Sequence, residues 1–276
     1  MDKQRVGLKR MREIASAHNP LLKVFRRALA EGVTREGWLA VEGPFLVEEA
    51  LNATERAEVH SVLVARSVLD KFRERLERLP KEAEVAQVSD CLFQQVAQTQ
   101  SPQGIAALVE LRPCDLKAVL TRPDALLVVA CGLQDPGNLG TMIRSAQALG
   151  ATALVTLEAT VSPFNPKAVR ASAGAIFRLP VLQNVNVGPF FERLRAMGIR
   201  IVATDRHSPS PLTGADLRGP VAILIGQEAA GLPPEISREA NILLSIPIRP
   251  GTDSVNAATA ASIFLYEVAR QQGFRY

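Results

Sequence analysis

A chain of 276 residues, 47% hydrophobic and 22% charged, has the composition of a folded globular protein and the length for two domains, each with its own core. No apolar run approaches the ~20 residues that span a bilayer, and Met1-Asp2-Lys3-Gln4-Arg5 opens no secretory segment. The three cysteines (Cys91, Cys114, Cys131) lack metal-ligand spacing, so the expectation is a cytoplasmic protein with reduced thiols, no metal and no membrane segment.

The net charge of +4 is unevenly placed. Lys3, Arg5, Lys9, Arg10, Arg12, Lys23, Arg26 and Arg27 crowd the first thirty residues against Asp2 and Glu13 only, so the rest of the chain is slightly acidic. Such a segment is the electrostatic footprint of a nucleic-acid binder, since each phosphate neutralised releases counterions. A solvated helix face would read the same way.

In chain order, residues 20–30 predict a helix with Leu21, Phe25, Ala28 and Leu29 as its apolar stripe. Strands at 38–41, 59–64 and 83–88 then alternate with helices at 44–51, at 68–79 and from a Ser89 cap to 96, and residues 104–110 close this half, which predicts a small α/β domain. Pro113 and Pro123 break the pattern, so the expected division is a first domain over 1–112, a linker over 113–124 and a second domain over 125–276. The second domain opens with an apolar strand at 125–131. Further strands follow at 153–157, 200–203, 221–225 and 241–245, with helices at 138–149, 189–197 and 255–271. Apolar strands between helices imply a largely parallel sheet covered on both faces, with ligands beyond the carboxyl ends of its strands.

Three strand exits there are unusual. Asp135-Pro136-Gly137-Asn138 makes a tight turn in which Asn138 reads as a helix N-cap, and Arg144 projects from the flank of the buried stripe that follows. Gly226-Gln227-Glu228-Ala229-Ala230-Gly231 puts glycines directly after a strand, where backbone can approach a ligand, with an acid between them. Neither nucleotide-binding glycine fingerprint is present. Ile246-Pro247-Ile248-Arg249-Pro250-Gly251-Thr252-Asp253-Ser254-Val255-Asn256 leads into an alanine-rich helix, with Ser254 as the expected cap. Taken singly, each loop serves equally well as an ordinary turn.

In this order, the three loops resemble the signature motifs of the SpoU (TrmH) family of RNA 2′-O-ribose methyltransferases, within the SPOUT superfamily, across residues 125–270. The stretch Ser162-Pro163-Phe164-Asn165-Pro166-Lys167-Ala168-Val169-Arg170 is similar to the family as well. Through Ile14, Ser16, Asn19-Pro20, Lys23 and Val41-Glu42-Gly43, the first half resembles the α/β substrate-binding domain often fused in that family.

The resemblance implies a trefoil-knotted parallel-sheet catalytic domain that binds S-adenosylmethionine at Gly226, Ile246 and Val255. Asn138, Arg144, Glu228, Ser254 and Asn256 match the polar positions of the active site, with Arg144 lent across a homodimer. Gln227 stands where the family commonly has Asn, and Val255 where it has Leu. RNA is expected to dock on Lys23, Arg26 and Arg27 and, near the catalytic mouth, on Lys167 and Arg170. Ribosomal RNA of the large subunit is favoured over transfer RNA, and a catalytically inactive RNA-binding or ribosome-assembly factor is the competing class. Bringing a guanidinium from above ~12 to neutrality would cost about 7 kcal/mol, so a charged Arg144 that clamps phosphate and stabilises a developing alkoxide is expected over a general base.

Overall fold

The computed structural model describes residues 11–227 and 230–274. The chain divides into two compact units between Arg112 and Pro113.

The first unit runs β1 (Met11–Ile14), α1 (Pro20–Glu31), β2 (Leu39–Glu42), α2 (Pro44–Asn52), β3 (Ala57–Ala65), α3 (Leu69–Glu77), β4 (Glu84–Val88), α4 (Asp90–Gln94) and β5 (Ile105–Leu111). Its sheet has the order β1-β4-β3-β5-β2, with β5 antiparallel to both its neighbours and the other pairs parallel. Asn19 caps α1 by accepting from the Leu21 amide at 2.9 Å, and Pro20 presets the first turn. This start buries Leu22, Phe25, Ala28 and Leu29, so Leu22 replaces the expected Leu21 in the stripe. Phe25 is fully buried, and its truncation to Ala is worth about 3–5 kcal/mol. Ser89 caps α4 through the Leu92 amide, as its sequence position suggests.

The second unit begins with α5 (Leu116–Leu120), inside the stretch expected as a linker. Val119 and Leu120 are buried in this unit's core, so the two prolines bound a packed helix. There follow β6 (Leu126–Ala130), α6 (Pro136–Ala148), β7 (Ala153–Leu157), α7 (Pro166–Ala171), β8 (Val181–Val185), α8 (Val187–Ala196), β9 (Arg200–Thr204), β10 (Val221–Ile225), α9 (Pro234–Ser237), β11 (Ile242–Leu244) and α10 (Ala257–Gln271). The sheet is parallel throughout, in the order β11-β9-β10-β6-β7-β8. Every residue of β6, β7 and β10 is buried, which accounts for apolar runs without alternation. Leu127, Val129, Val155 and Leu224 pack with Phe190, Phe191 and Leu194 of α8, while α6 and α10 pack on each other.

That strand order sets where the chain reverses. From β6 the chain moves outward to β7 and β8, and from β10 it moves past β9 to β11. Neighbouring β6 and β10 therefore send their connections in opposite directions, which opens a crevice at their carboxyl ends.

Candidate functional site

The β6 exit is organised by Asp135. Its carboxylate accepts from the Asn138 amide at 2.8 Å and from the Lys167 ammonium at 2.8 Å. The Lys167 contact first, and then the Asn138 amide, hold this carboxyl below the usual carboxylate range. Asp135, not Asn138, is thus the cap of α6: Pro136 lacks an amide proton and has a helical φ, so the helix starts at Pro136. Released from capping, the Asn138 side chain accepts from Nδ2 of Asn256 at 2.8 Å. Two loops separated by more than a hundred residues are joined by this one amide pair.

Asn256 also caps α10, its Oδ1 accepting from the Ala258 and Thr259 amides at 2.9 and 3.3 Å. The cap expected at Ser254 therefore lies two residues further on. Ser254 is exposed at the edge of a cavity.

The β10 exit folds back on itself. Gln227 and Gly231 exchange two backbone hydrogen bonds of 3.0 Å. A Cβ on Gly226 would lie 2.3 Å from the Gly231 carbonyl and 2.5 Å from the Leu232 nitrogen, so no larger residue fits there. Nε2 of Gln227 donates to the Gly132 carbonyl at 2.7 Å and closes the crevice between the β10 and β6 exits. Glu228 lies outside the described residues, as do the basic residues before Met11.

The β10 exit, the segment from β11 to α10 and the β9 exit surround a cavity of about 250 Å³. Leu232, Ile246, Ile248, Val255 and Phe264 give it apolar walls, and Gly226 brings backbone to its edge. The three residues expected to hold a cofactor, Gly226, Ile246 and Val255, thus line one space together with Ser254. Asn138 and Asn256 lie outside that lining, held to each other. Arg144 is exposed on α6 and is not among the lining residues. Its helix is set by Gly140, where a Cβ would approach the Ala168 carbonyl oxygen to 2.2 Å, so α6 and α7 pack backbone to backbone. This brings Lys167 to Asp135 and leaves Arg170 exposed.

A fourth loop escaped the sequence reading. Thr204, Asp205, Arg206 and His207 at the β9 exit line the same cavity. The available signal was a polar run, Asp-Arg-His, straight after an apolar strand. In the first unit Lys23 is exposed, Arg26 donates to the Gln95 carbonyl at 3.2 Å, and Arg27 is engaged by Glu31 at 2.8 Å. Among the described residues, no group of three or more His, Cys, Asp or Glu is placed to hold a metal ion.

Comparison with known proteins adds a lineage to this geometry. Residues 125–266 match the model of the SpoU rRNA Methylase family, and residues 28–107 match that of an MRM3-like substrate binding domain. A 23S rRNA (guanosine(2553)-2′-O)-methyltransferase of Bacillus subtilis is 30% identical over 94% of this chain and 99% of its own. A 23S rRNA (uridine(2479)-2′-O)-methyltransferase of Streptomyces viridochromogenes is 34% identical over 74% of this chain and 73% of its own. Among solved structures, an AdoMet-bound rRNA methyltransferase from Sinorhizobium meliloti superposes with a TM-score of 0.81, at 30% identity, over 94% of this chain and 98% of that one.

Proposed function

The chain belongs to the SpoU rRNA methylase family, and from that premise we propose that it transfers the methyl group of S-adenosylmethionine to a ribose 2′-hydroxyl of large-subunit ribosomal RNA. The observation that carries the reading is the convergence of Gly226, Ile246, Val255 and Ser254 on one cavity at the carboxyl ends of parallel strands.

The residues present fit the cofactor. Apolar walls suit the faces of an adenine ring, and the backbone at Gly226 offers close polar contacts without an intervening side chain. When bound, S-adenosylmethionine supplies an electrophilic methyl carbon on a sulfonium. What remains for the protein is to seat the sugar and favour its alkoxide. Ser254 at the cavity edge orients the sugar or the methionine end of the cofactor. The Asn138–Asn256 pair fixes the start of α10 against the start of α6. Arg144 stays charged, holds a phosphate and stabilises the oxygen as its proton leaves. Because Arg144 lies outside its own chain's cavity, it serves the site of a second copy in a homodimer. The exposed Tyr266 and part-buried Ile263 of α10 support such a contact. Glu228 completes the polar set in this proposal.

Lys23, Arg26, Arg27, Lys167 and Arg170 hold the RNA backbone, the first three on α1 just ahead of residues 28–107, which match a substrate binding domain. The trefoil path of the C-terminal segment and a cytoplasmic location belong to the same proposal. Ile246, Ile248, Ser254 and Val255 lining one cavity with Gly226, Gln227 and Leu232 support the former. Among the described residues, no helix is long and apolar enough to cross a membrane.

The test is transfer of labelled methyl from S-adenosylmethionine to total RNA of cells deleted for the gene, followed by digestion to nucleosides. Label in a 2′-O-methyl nucleoside of large-subunit RNA is expected. Label on a base, or only in transfer RNA, overturns the assignment, and no label at all points to the inactive factor.

A further inference from the structure

Between Asp90 and Glu110 the chain carries no charged side chain. Yet Gln94, Gln95, Gln98, Gln100, Ser101 and Gln103 within that stretch are all exposed. Exposed loops ordinarily include Lys, Glu, Arg or Asp, which favour water most strongly. A glutamine amide offers something different, a donor and an acceptor side by side, the pattern that matches the edge of a nucleobase.

This stretch is held firmly. Glu42, at the end of β2, accepts from the backbone amides of Gln98 at 2.8 Å and Thr99 at 3.3 Å, and from the Thr99 hydroxyl. At its far end the Gly43 amide donates to the Ile105 carbonyl at 2.8 Å, and the Ala65 amide to the Gly104 carbonyl at 2.8 Å. The amides of residues 98–103 are therefore presented by a fixed backbone, which lowers the entropy lost on binding. The neighbours are equally informative. A Cβ on Gly43 would sit 3.7 Å from Oε1 of Gln103, and two residues on Phe45 is 56% exposed, the most exposed large apolar side chain among the described residues. On the other side, Arg26 reaches the Gln95 carbonyl, with Lys23 exposed one turn earlier on α1. The amide-bearing stretch thus meets a cation through Gln95 and approaches the segment that carries Phe45 through Gln103, with the Glu42 carboxylate turned onto its backbone amides.

We propose that this face reads unpaired bases of the RNA substrate: Gln98, Gln100 and Gln103 bond base edges, Phe45 stacks on a base, and Lys23 and Arg26 hold the flanking phosphates. The inference rests on the RNA methyltransferase reading and deepens it, by placing selection of the RNA in the first unit. Unpaired RNA is the fitting partner because the deep, narrow major groove of an RNA helix withholds its base edges from side chains.

The experiment uses the full-length protein and total RNA from cells deleted for its gene, measuring methyl transfer against RNA concentration at several salt concentrations. Three variants are compared with the parent: Gln98→Ala with Gln100→Ala and Gln103→Ala, Phe45→Ala alone, and Lys23→Ala with Arg26→Ala. The glutamine and phenylalanine variants should each raise KM for RNA on the order of tenfold. Their kcat, S-adenosylmethionine affinity, melting temperature and salt dependence should stay those of the parent. The cationic variant should instead flatten the dependence of log KM on log salt by about 1–2. Parental KM in both the glutamine and the phenylalanine variants overturns the inference while leaving the methyltransferase reading intact. A parent that transfers no methyl overturns that underlying reading, and filter binding of the same RNA to the same variants then decides whether the face binds RNA at all.

Discussion

In both units the loops that leave the strands carry the residues of interest, but they are used in opposite ways. At the first sheet, Glu42 turns onto backbone amides and Asn19 onto its own helix, so the loops are pinned flat and their side chains face outward. At the second sheet, the exits of β9, β10 and β11 stand around a space of about 250 Å³, and Gln227 and Asn256 tie the last two of them to the β6 exit. A firm open face suits a large partner, and an enclosure suits a small one. The difference originates in the sheets, since the parallel strands β9, β10 and β11 all end on one side and their exits can enclose a space beyond their carboxyl ends.

Substitutions that act on only one of these arrangements give the sharpest tests. Arg144→Ala should lower kcat by about 10²–10³-fold, the usual loss of a charge-stabilising donor, with S-adenosylmethionine affinity unchanged by calorimetry. Gly226→Val should force the Gly231 carbonyl aside, adding about 1–3 kcal/mol of strain and weakening cofactor binding by on the order of ten- to a hundredfold, while RNA binding by the first unit persists. Asn256→Asp keeps the acceptor that caps α10 but removes the donor to Asn138, so kcat should fall about tenfold with little change in melting temperature; a melting temperature that falls as far as activity would make the pair merely structural.

The cysteines compare the two units at once. Burial pushes the Cys131 thiol up to about 12, whereas Cys91 is exposed. At pH 8 iodoacetamide should label Cys91 and spare Cys131, as mass spectrometry would show. The stabilisation linked to Cys131 is complete below the unfolded thiol value of ~8.5 and declines as pH rises above it. The smallest effect belongs to Arg27→Ala: its pair with Glu31 is exposed and screened, so the unfolding free energy from denaturant titration should change by less than about 0.5 kcal/mol.

Much of this was legible in the residues. The strands at 153–157 and 221–225 have the observed bounds because each is an apolar run buried on both faces. β8 went unseen since its position at the sheet edge leaves its residues half-buried or exposed, and β1 because only Ile14 of its four residues is buried. Both misplaced caps, at Asn138 and Ser254, came from choosing one polar residue among several in a loop where Pro136 or the Asn138 contact decides the start. The β9 exit was invisible for a deeper reason. Thr204-Asp205-Arg206-His207 is an ordinary polar turn until β9 is known to lie between β10 and β11, and strand order is not written in periodicity.

The most direct test of the account is a crystal structure of the protein grown with S-adenosylmethionine. The account predicts the adenosine between Ile246, Val255 and the backbone at Gly226, with the sulfonium methyl directed toward Ser254. Density for the cofactor anywhere else in the second unit, or its absence at concentrations that support methyl transfer, would contradict it.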